Sequence, residues 1–228
     1  MSLYTIADLH LSLGTDKPMD IFAGWQNYVD KIVENWNYFI TDEDTVVIAG
    51  DISWAMKLEE CYEDFKFLNS LPGTKIILKG NHDYWFSTKA KVDNYLEENG
   101  FNTIKMLFNN SFEYGDYLIC GTRGWINEPG EKVDKTIINR EAGRLTLSIE
   151  SGIASGKEPI VFLHYPPVYA QTYCTEILDV LYKYNVKRCF YGHLHGASCK
   201  NSVNGLKDGI EYQLVSCDFT QFNPVKVL

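Results

Sequence analysis

The sequence predicts an α/β sandwich, central β-sheets flanked by helices, with its chemistry gathered at the C-terminal ends of the strands. Three observations carry this expectation. Strand-like runs rich in β-branched residues alternate with amphipathic helical runs along most of the 228 residues, the pattern of βαβ crossovers. The composition, 45% hydrophobic and 22% charged, is that of a well-packed soluble protein. The tails of five strand-like runs, "ADLH", "AGD", "KGNHD", "FLH" and "YGHLH", hold all five histidines between them. In open α/β sheets that edge is where loops converge on ligands.

The elements follow in order. "LYTIAD" reads as the first strand, and Trp25, Tyr28, Val29, Ile32, Val33, Trp36 and Phe39 recur at spacings of three and four as the apolar face of a helix. "TVVIAGD" is a second strand closed by Gly50, followed by a helix whose face is Leu58, Cys61, Tyr62, Phe65 and Leu68. "TKIILKGNHD" repeats the pattern, with a helix near residues 88–98. Short strands are expected around 104–107, 112–114 and 117–121, and Gly115-Asp116 marks a hairpin between the last two. A long helix over roughly 133–154 presents Val133, Ile137, Ala142, Leu145, Ile149 and Ile153 on one face. Its Arg140 and Arg144, at i and i+4, read as a solvated face. "PIVFLH", "KRCFYGHLH" and "IEYQLVS" complete the strand series. No repeat, low-complexity run or linker divides the chain, so residues 1–228 are expected to form a single domain.

The formal charge of −9 argues against long nucleic acids and anionic membranes as partners, since the surface would repel polyanions. Any phosphate chemistry must draw positive charge from a local source, and with four arginines in the chain bound metal is one candidate. The N-terminus lacks a basic segment followed by an apolar run, and no stretch approaches about 18 consecutive apolar residues, so a cytoplasmic location is expected. Six cysteines without a C-x-x-C pair signal neither a zinc knuckle nor a disulfide framework.

The strand tails supply Asp8, His10, Asp51, Asn81, His164, His193 and His195, seven side chains with oxygen or imidazole donors and no thiolate. Such a set suits manganese, iron, zinc, cobalt or nickel better than calcium or magnesium alone. Seven donors exceed what one ion takes while keeping a position open for water; two ions about 3.5–4 Å apart sharing a carboxylate fit the number. A lone histidine is more often a hydrogen-bonded structural residue, but five of five at strand ends, beside Asp8, Asp51, Asn81 and Asp83, argues otherwise.

The ordered set D-x-H, G-D, G-N-H-D, H, G-H-x-H, running from residue 8 to 195, resembles the calcineurin-like metallophosphoesterase superfamily, and within it the small bacterial phosphoesterases. The resemblance implies a metallophosphoesterase-type sandwich in which Asp8, His10 and His195 bind one ion, Asn81, His164 and His193 bind the other, and Asp51 bridges them. It implies that His82 is not a ligand but faces the substrate, with Asp83 orienting its ring. The expected reaction is hydrolysis of a phosphate mono- or diester by metal-bound hydroxide, with manganese, iron or zinc as the ions and a small phosphorylated compound as the partner. One departure stands out: the second acidic residue of G-D-x-x-D is Trp54 here, which either packs in the core or walls the site.

"CGTRGWINEPG" offers Arg123 as a phosphate clamp and Trp125 as a stacking surface, or else Arg123 paired with a carboxylate and a buried Trp125. Tyr84, Trp85 and "HYPPVYAQTY" add aromatic bulk that either shapes a pocket for an organic leaving group or is buried. Two other readings compete: a non-catalytic scaffold on the same fold, and a metal-dependent hydrolase of a non-phosphate bond. Nucleotide-dependent kinases and dehydrogenases are disfavoured by the absence of G-x-G-x-x-G and G-x-x-x-x-G-K-[ST].

Overall fold

The computed structural model describes residues 1–126 and 134–228. Within them, strands β1 (Leu3–Ile6), β2 (Thr45–Ile48), β3 (Thr74–Ile77) and β4 (Ile104–Met106) alternate with helices α1 (Tyr28–Phe39), α2 (Tyr62–Ser70) and α3 (Lys89–Glu98). The chain continues through β5 (Phe112–Tyr114), β6 (Tyr117–Thr122), α4 (Lys135–Glu150), β7 (Glu158–Leu163), β8 (Val168–Tyr169), β9 (Thr172–Tyr173), α5 (Thr175–Lys183), β10 (Arg188–Tyr191), β11 (Gly205–Lys207), β12 (Ile210–Leu214) and β13 (Val225–Lys226).

Two sheets result, ordered β13-β1-β2-β3-β4 and β11-β12-β10-β7-β6-β5. The interior of each is parallel, and the antiparallel additions β13, β11 and β5 lie at edges. Parallel strands buried on both faces must be apolar throughout, which is why "TVVI" and "IVFL" carry no alternation. Inward residues Leu3, Val47 and Ile76 of the first sheet pack against Ile119, Ile160, Phe162 and Phe190 of the second. On the outer faces, Ile32, Trp36, Phe65 and Val92 of α1–α3 cover the first sheet, while Leu145, Ile149, Ile177 and Leu181 of α4 and α5 cover the second. The layers are helix, sheet, sheet, helix, and all parallel strands point their C-terminal ends toward one edge.

The structure adjusts three expectations. α1 begins at Tyr28, and Trp25 lies in the turn before it, buried among site residues rather than on the helix face. α4 starts after Asp134, whose carboxylate accepts from the backbone N–H groups of Thr136 (3.0 Å) and Ile137 (3.2 Å). Its buried stripe runs Ile138, Glu141, Leu145, Ser148 and Ile149, so Ile137 is turned aside and a carboxylate occupies the core face; Val133 lies outside the described residues, and Ile153 belongs to a separate turn. β8 and β9 form a small hairpin inside "HYPPVYAQTY" that periodicity over two-residue strands has no power to show. The hairpin at Gly115-Asp116 is present, with Tyr114 opposite Tyr117. All six cysteines are free thiols. No helix among the described residues is long and apolar enough to cross a membrane.

Candidate metal centre

The tails of β1, β2, β3, β7 and β10 converge between the two sheets. Asp8, His10, Asp51 and His193 all have positive φ, from 47° to 74°. That conformation costs a residue with a Cβ about 1–2 kcal/mol, so four instances around one point mark a site whose geometry overrides local preference. Glycines allow the close approach. A Cβ on Gly80 would collide with the Asp51 carboxylate, and one on Gly192 would meet Asp8 Oδ2 at 2.5 Å.

The carboxylates also organise the loops. Asp8 accepts from the His193 N–H with both oxygens (3.1 and 2.9 Å), which ties the β10 tail to β1. Asp51 Oδ1 accepts from the His82 N–H (2.8 Å), leaving Oδ2 at 3.7 Å from His10 Nε2 and 3.5 Å from His164 Nε2. Oδ2 therefore lies between two groups of donors. On one side His10 Nε2 is 3.3 Å from His195 Nε2, which in turn is 3.5 Å from Asp8 Oδ1. On the other, Asn81 Oδ1 is 2.6 Å from His164 Nε2 and 2.9 Å from His193 Nδ1. Ligand atoms of Asp8, His10 and His195, and of Asp8, Asp51 and His164, each fall within 4.8 Å of one another. The two histidines of "GHLH" are thus separated, His195 among the first donors and His193 among the second.

These residues fit metal ions, and the protonation chemistry says why. Burial holds the His164 imidazole well below its ordinary pKa, so it is neutral with one proton. That proton is on Nδ1, which donates to the Ala49 carbonyl (3.1 Å), so the bare lone pair of Nε2 faces the Asn81 and Asp51 oxygens. Acceptors aimed at acceptors call for a cation between them. Burial likewise lowers His10 to about 3 and His193 to about 4. Burial raises Asp51 well above the usual carboxylate range, reinforced by Asp83 and Asp8, because its ionised form has no compensating cation beside it; a bound metal ion would supply one. Burial also pushes Asp8 upward, but His195, His164 and His10 outweigh it and hold its carboxyl below that range. For His195 the burial cost is overcome by Asp8 and Asp218, which raise it to about 10.

Asp218 is the site residue that the sequence reading missed. Its Oδ1 accepts from His195 Nδ1 (2.9 Å) and its Oδ2 from the Gly196 N–H (3.0 Å), which fixes the ring so that Nε2 points inward. The signal was present: "VSCD" is the tail of a sixth strand, β12, at the same edge.

His82 is half-buried beside the donors, its ring 5.6 Å from that of His10. Asp83 does not orient it. Asp83 Oδ1 accepts from the N–H groups of Ile52 (2.8 Å) and Ser53 (3.2 Å) and from Trp85 Nε1 (2.9 Å), and Oδ2 from the Gly80 N–H (2.7 Å). Its capacity is filled by three backbone N–H groups and the Trp85 indole because the β2 and β3 tails are sewn together there, while His82 Nδ1 has no hydrogen-bond partner among the described residues. Trp54, at the missing acidic position, walls the site: its ring stacks on His10 (4.9 Å, 21°) and tilts onto His82 (4.5 Å, 51°). Carboxylate bracing of this loop comes instead from Asp83 and from Asp64, which accepts from Ser53 Oγ and the Leu13 N–H.

Arg123 takes the paired arrangement. Its guanidinium reaches Glu141 Oε1 (3.4 Å) and lies 5.0 Å over the Trp125 ring, which packs on Tyr165 at 4.9 Å. Arg144, expected on a solvated face, is partly buried and bonds the same Glu141 oxygen at 2.7 Å. Residues 127–133 of "CGTRGWINEPG" lie outside the described residues.

An α/β sandwich whose strand tails gather carboxylate, amide and imidazole groups that could hold metal ions defines the class of protein. The calcineurin-like phosphoesterase profile matches residues 1–197, and the chain belongs to that family. No curated protein matches the chain in sequence. Solved structures share its fold at low identity. A protein of unknown function from Aquifex aeolicus is 20% identical, with a TM-score of 0.52 over 99% of this chain and 95% of that one. The phosphopantetheinyl hydrolase of Mycobacterium tuberculosis is 15% identical, with a TM-score of 0.53 over 100% and 95%. A Thermus thermophilus protein is 12% identical, with a TM-score of 0.59 over 98% and 96%.

Proposed function

We propose that the protein is a phosphoric ester hydrolase acting on small phosphate mono- or diesters with a pair of transition-metal ions, manganese, iron or zinc. Asp8, His10 and His195 would hold one ion, Asn81, His164 and His193 the other, and Asp51 Oδ2 would face both. When bound, such a pair supplies Lewis acidity that activates water and neutralises charge on phosphoryl oxygens. The observation that carries the reading is the placement of Asp51 Oδ2 between His10 Nε2 (3.7 Å) and His164 Nε2 (3.5 Å), while Oδ1 is engaged by backbone.

The chain's own residues provide the rest. His82 borders the donors without joining them, so its imidazole is free to hold a proton for the departing oxygen. Asp83 and Gly80 keep the loop that carries His82 in register. Asp218 keeps His195 Nε2 directed inward.

The test reconstitutes the protein with manganese, iron or zinc, counts bound ions by elemental analysis, and compares an aryl phosphomonoester with the matching diester, His82→Ala serving as control. Single turnover in oxygen-18 water should label the released phosphate once. A protein that binds no stoichiometric metal and hydrolyses neither ester is the scaffold instead.

A further inference from the structure

Beside the donors opens a cavity of about 380 Å³ whose walls include His10, Met19, Phe22, Trp25, Trp54 and His82. Its aromatic surfaces are held in place. The Trp54 indole N–H donates to Met19 Sδ (3.2 Å), which fixes the ring plane, and Trp25 is buried edge-on against Phe222 (5.4 Å, 85°). Trp25 meets His10 at 5.9 Å and 62°, so two indoles flank one imidazole of the metal centre. Phe22 remains 52% exposed at this cavity and makes no ring contact among the described residues. Exposing aromatic surface beside a polar site is unfavourable for the free protein, and its common use is to receive an apolar group of a ligand.

The position of the cavity states which group. Hydrolysis forms a bond from a water oxygen to phosphorus and breaks the bond from phosphorus to the ester oxygen. That oxygen keeps the electron pair and takes a proton as the alcohol leaves. The proton donor must be beside the leaving oxygen, and His82 is both the candidate donor and a wall of this cavity. We infer that the cavity seats the leaving alcohol and that this alcohol carries a flat aromatic ring, stacked or edge-packed between Phe22, Trp25 and Trp54. The volume admits one such ring system with its linker, within the usual range for small-ligand sites. Lys17 lies 5.5 Å over the Trp54 ring, outside the lining of this cavity. The inference rests on the phosphoesterase reading for the identity of the ligand, but the cavity can be tested without catalysis.

Calorimetry compares 2-naphthylmethylphosphonate with methylphosphonate on manganese-loaded protein, and 2-naphthol alone on metal-free protein. The naphthyl phosphonate should bind about tenfold tighter or more, and 2-naphthol should bind without metal. Phe22→Ala should remove most of that advantage while methylphosphonate affinity holds, and Trp54→Leu, which also frees the His10 ring, should remove most of the naphthyl advantage whatever it does to methylphosphonate. Phe22→Ala decides the matter if Trp54→Leu disturbs folding, which thermal unfolding reports. Equal affinities for the two phosphonates, or an advantage that survives both substitutions, overturns the inference. Hydrolysis without naphthyl preference defeats the cavity assignment alone; naphthyl binding without hydrolysis of any ester defeats the phosphoesterase reading alone.

Discussion

Two buried clusters of charged residues lie at the strand ends, and they are built on opposite plans. Around Asp51, electron-pair donors crowd together: an imidazole lone pair points toward an amide oxygen at 2.6 Å, and Asp51 Oδ2 lies 3.7 Å and 3.5 Å from the Nε2 atoms of two imidazoles that burial keeps neutral. Around Glu141, fully buried on α4, every contact is complementary. Thr122 Oγ1 donates at 2.8 Å, Arg144 at 2.7 Å and Arg123 at 3.4 Å, with Arg140 Nε at 3.9 Å. Three of the chain's four arginines thus serve one carboxylate. A cluster that satisfies itself is architecture, and a cluster left frustrated by its own atoms awaits a cation. The distinction comes from the pairing of atoms, since burial and charge alone are common to both.

Substitutions should separate the two plans. Asp51→Asn removes the oxygen shared between the donor groups, and should lower bound metal from two ions and bring ester hydrolysis to background, as elemental analysis and initial rates would show. His82→Ala should cut kcat by about 10²–10⁴ with metal content intact; an equal loss of metal would place His82 among the ligands and break the scheme. Glu141→Gln should do the reverse, costing about 3 kcal/mol in denaturant unfolding, the low end for a buried pair because Arg140 and Arg144 reach solvent, while metal content and kcat stay put. If Glu141→Gln instead lowers kcat with unchanged stability, the arginine cluster belongs to the chemistry. Asp218→Asn should have the smallest effect, weakening metal affinity about 10–100-fold by loosening His195, as competition with a chelator would report.

Much of this was legible in the chain. Strand tails at the C-terminal edge of a parallel sheet must converge, so "ADLH", "AGD", "KGNHD", "FLH" and "YGHLH" announced both the sandwich and the donors that line its edge. Glu141 was harder: helical periodicity sorts positions by hydrophobicity, and a buried carboxylate on the core face reads as an outward one unless its cations are known. Asp83 was misassigned because adjacency to His82 in sequence says nothing about which donors surround its oxygens in space. Asp218 was passed over although it follows a strand at the same edge, because "VSCD" holds no histidine to group it with the other tails.

The sequence by itself determined the layers, the strand order of the motifs and the donor chemistry, because these follow from local periodicity and from residue types at fixed places in the βα repeat. Only the tertiary structure decided which atoms meet. Pairing between the β10 tail and β1, the turn of Trp54 and Trp25 toward His10, and the gathering of Arg123 and Arg144 onto Glu141 all join residues far apart in the chain. Their partners are selected by packing the two sheets face to face, and no local spacing encodes that.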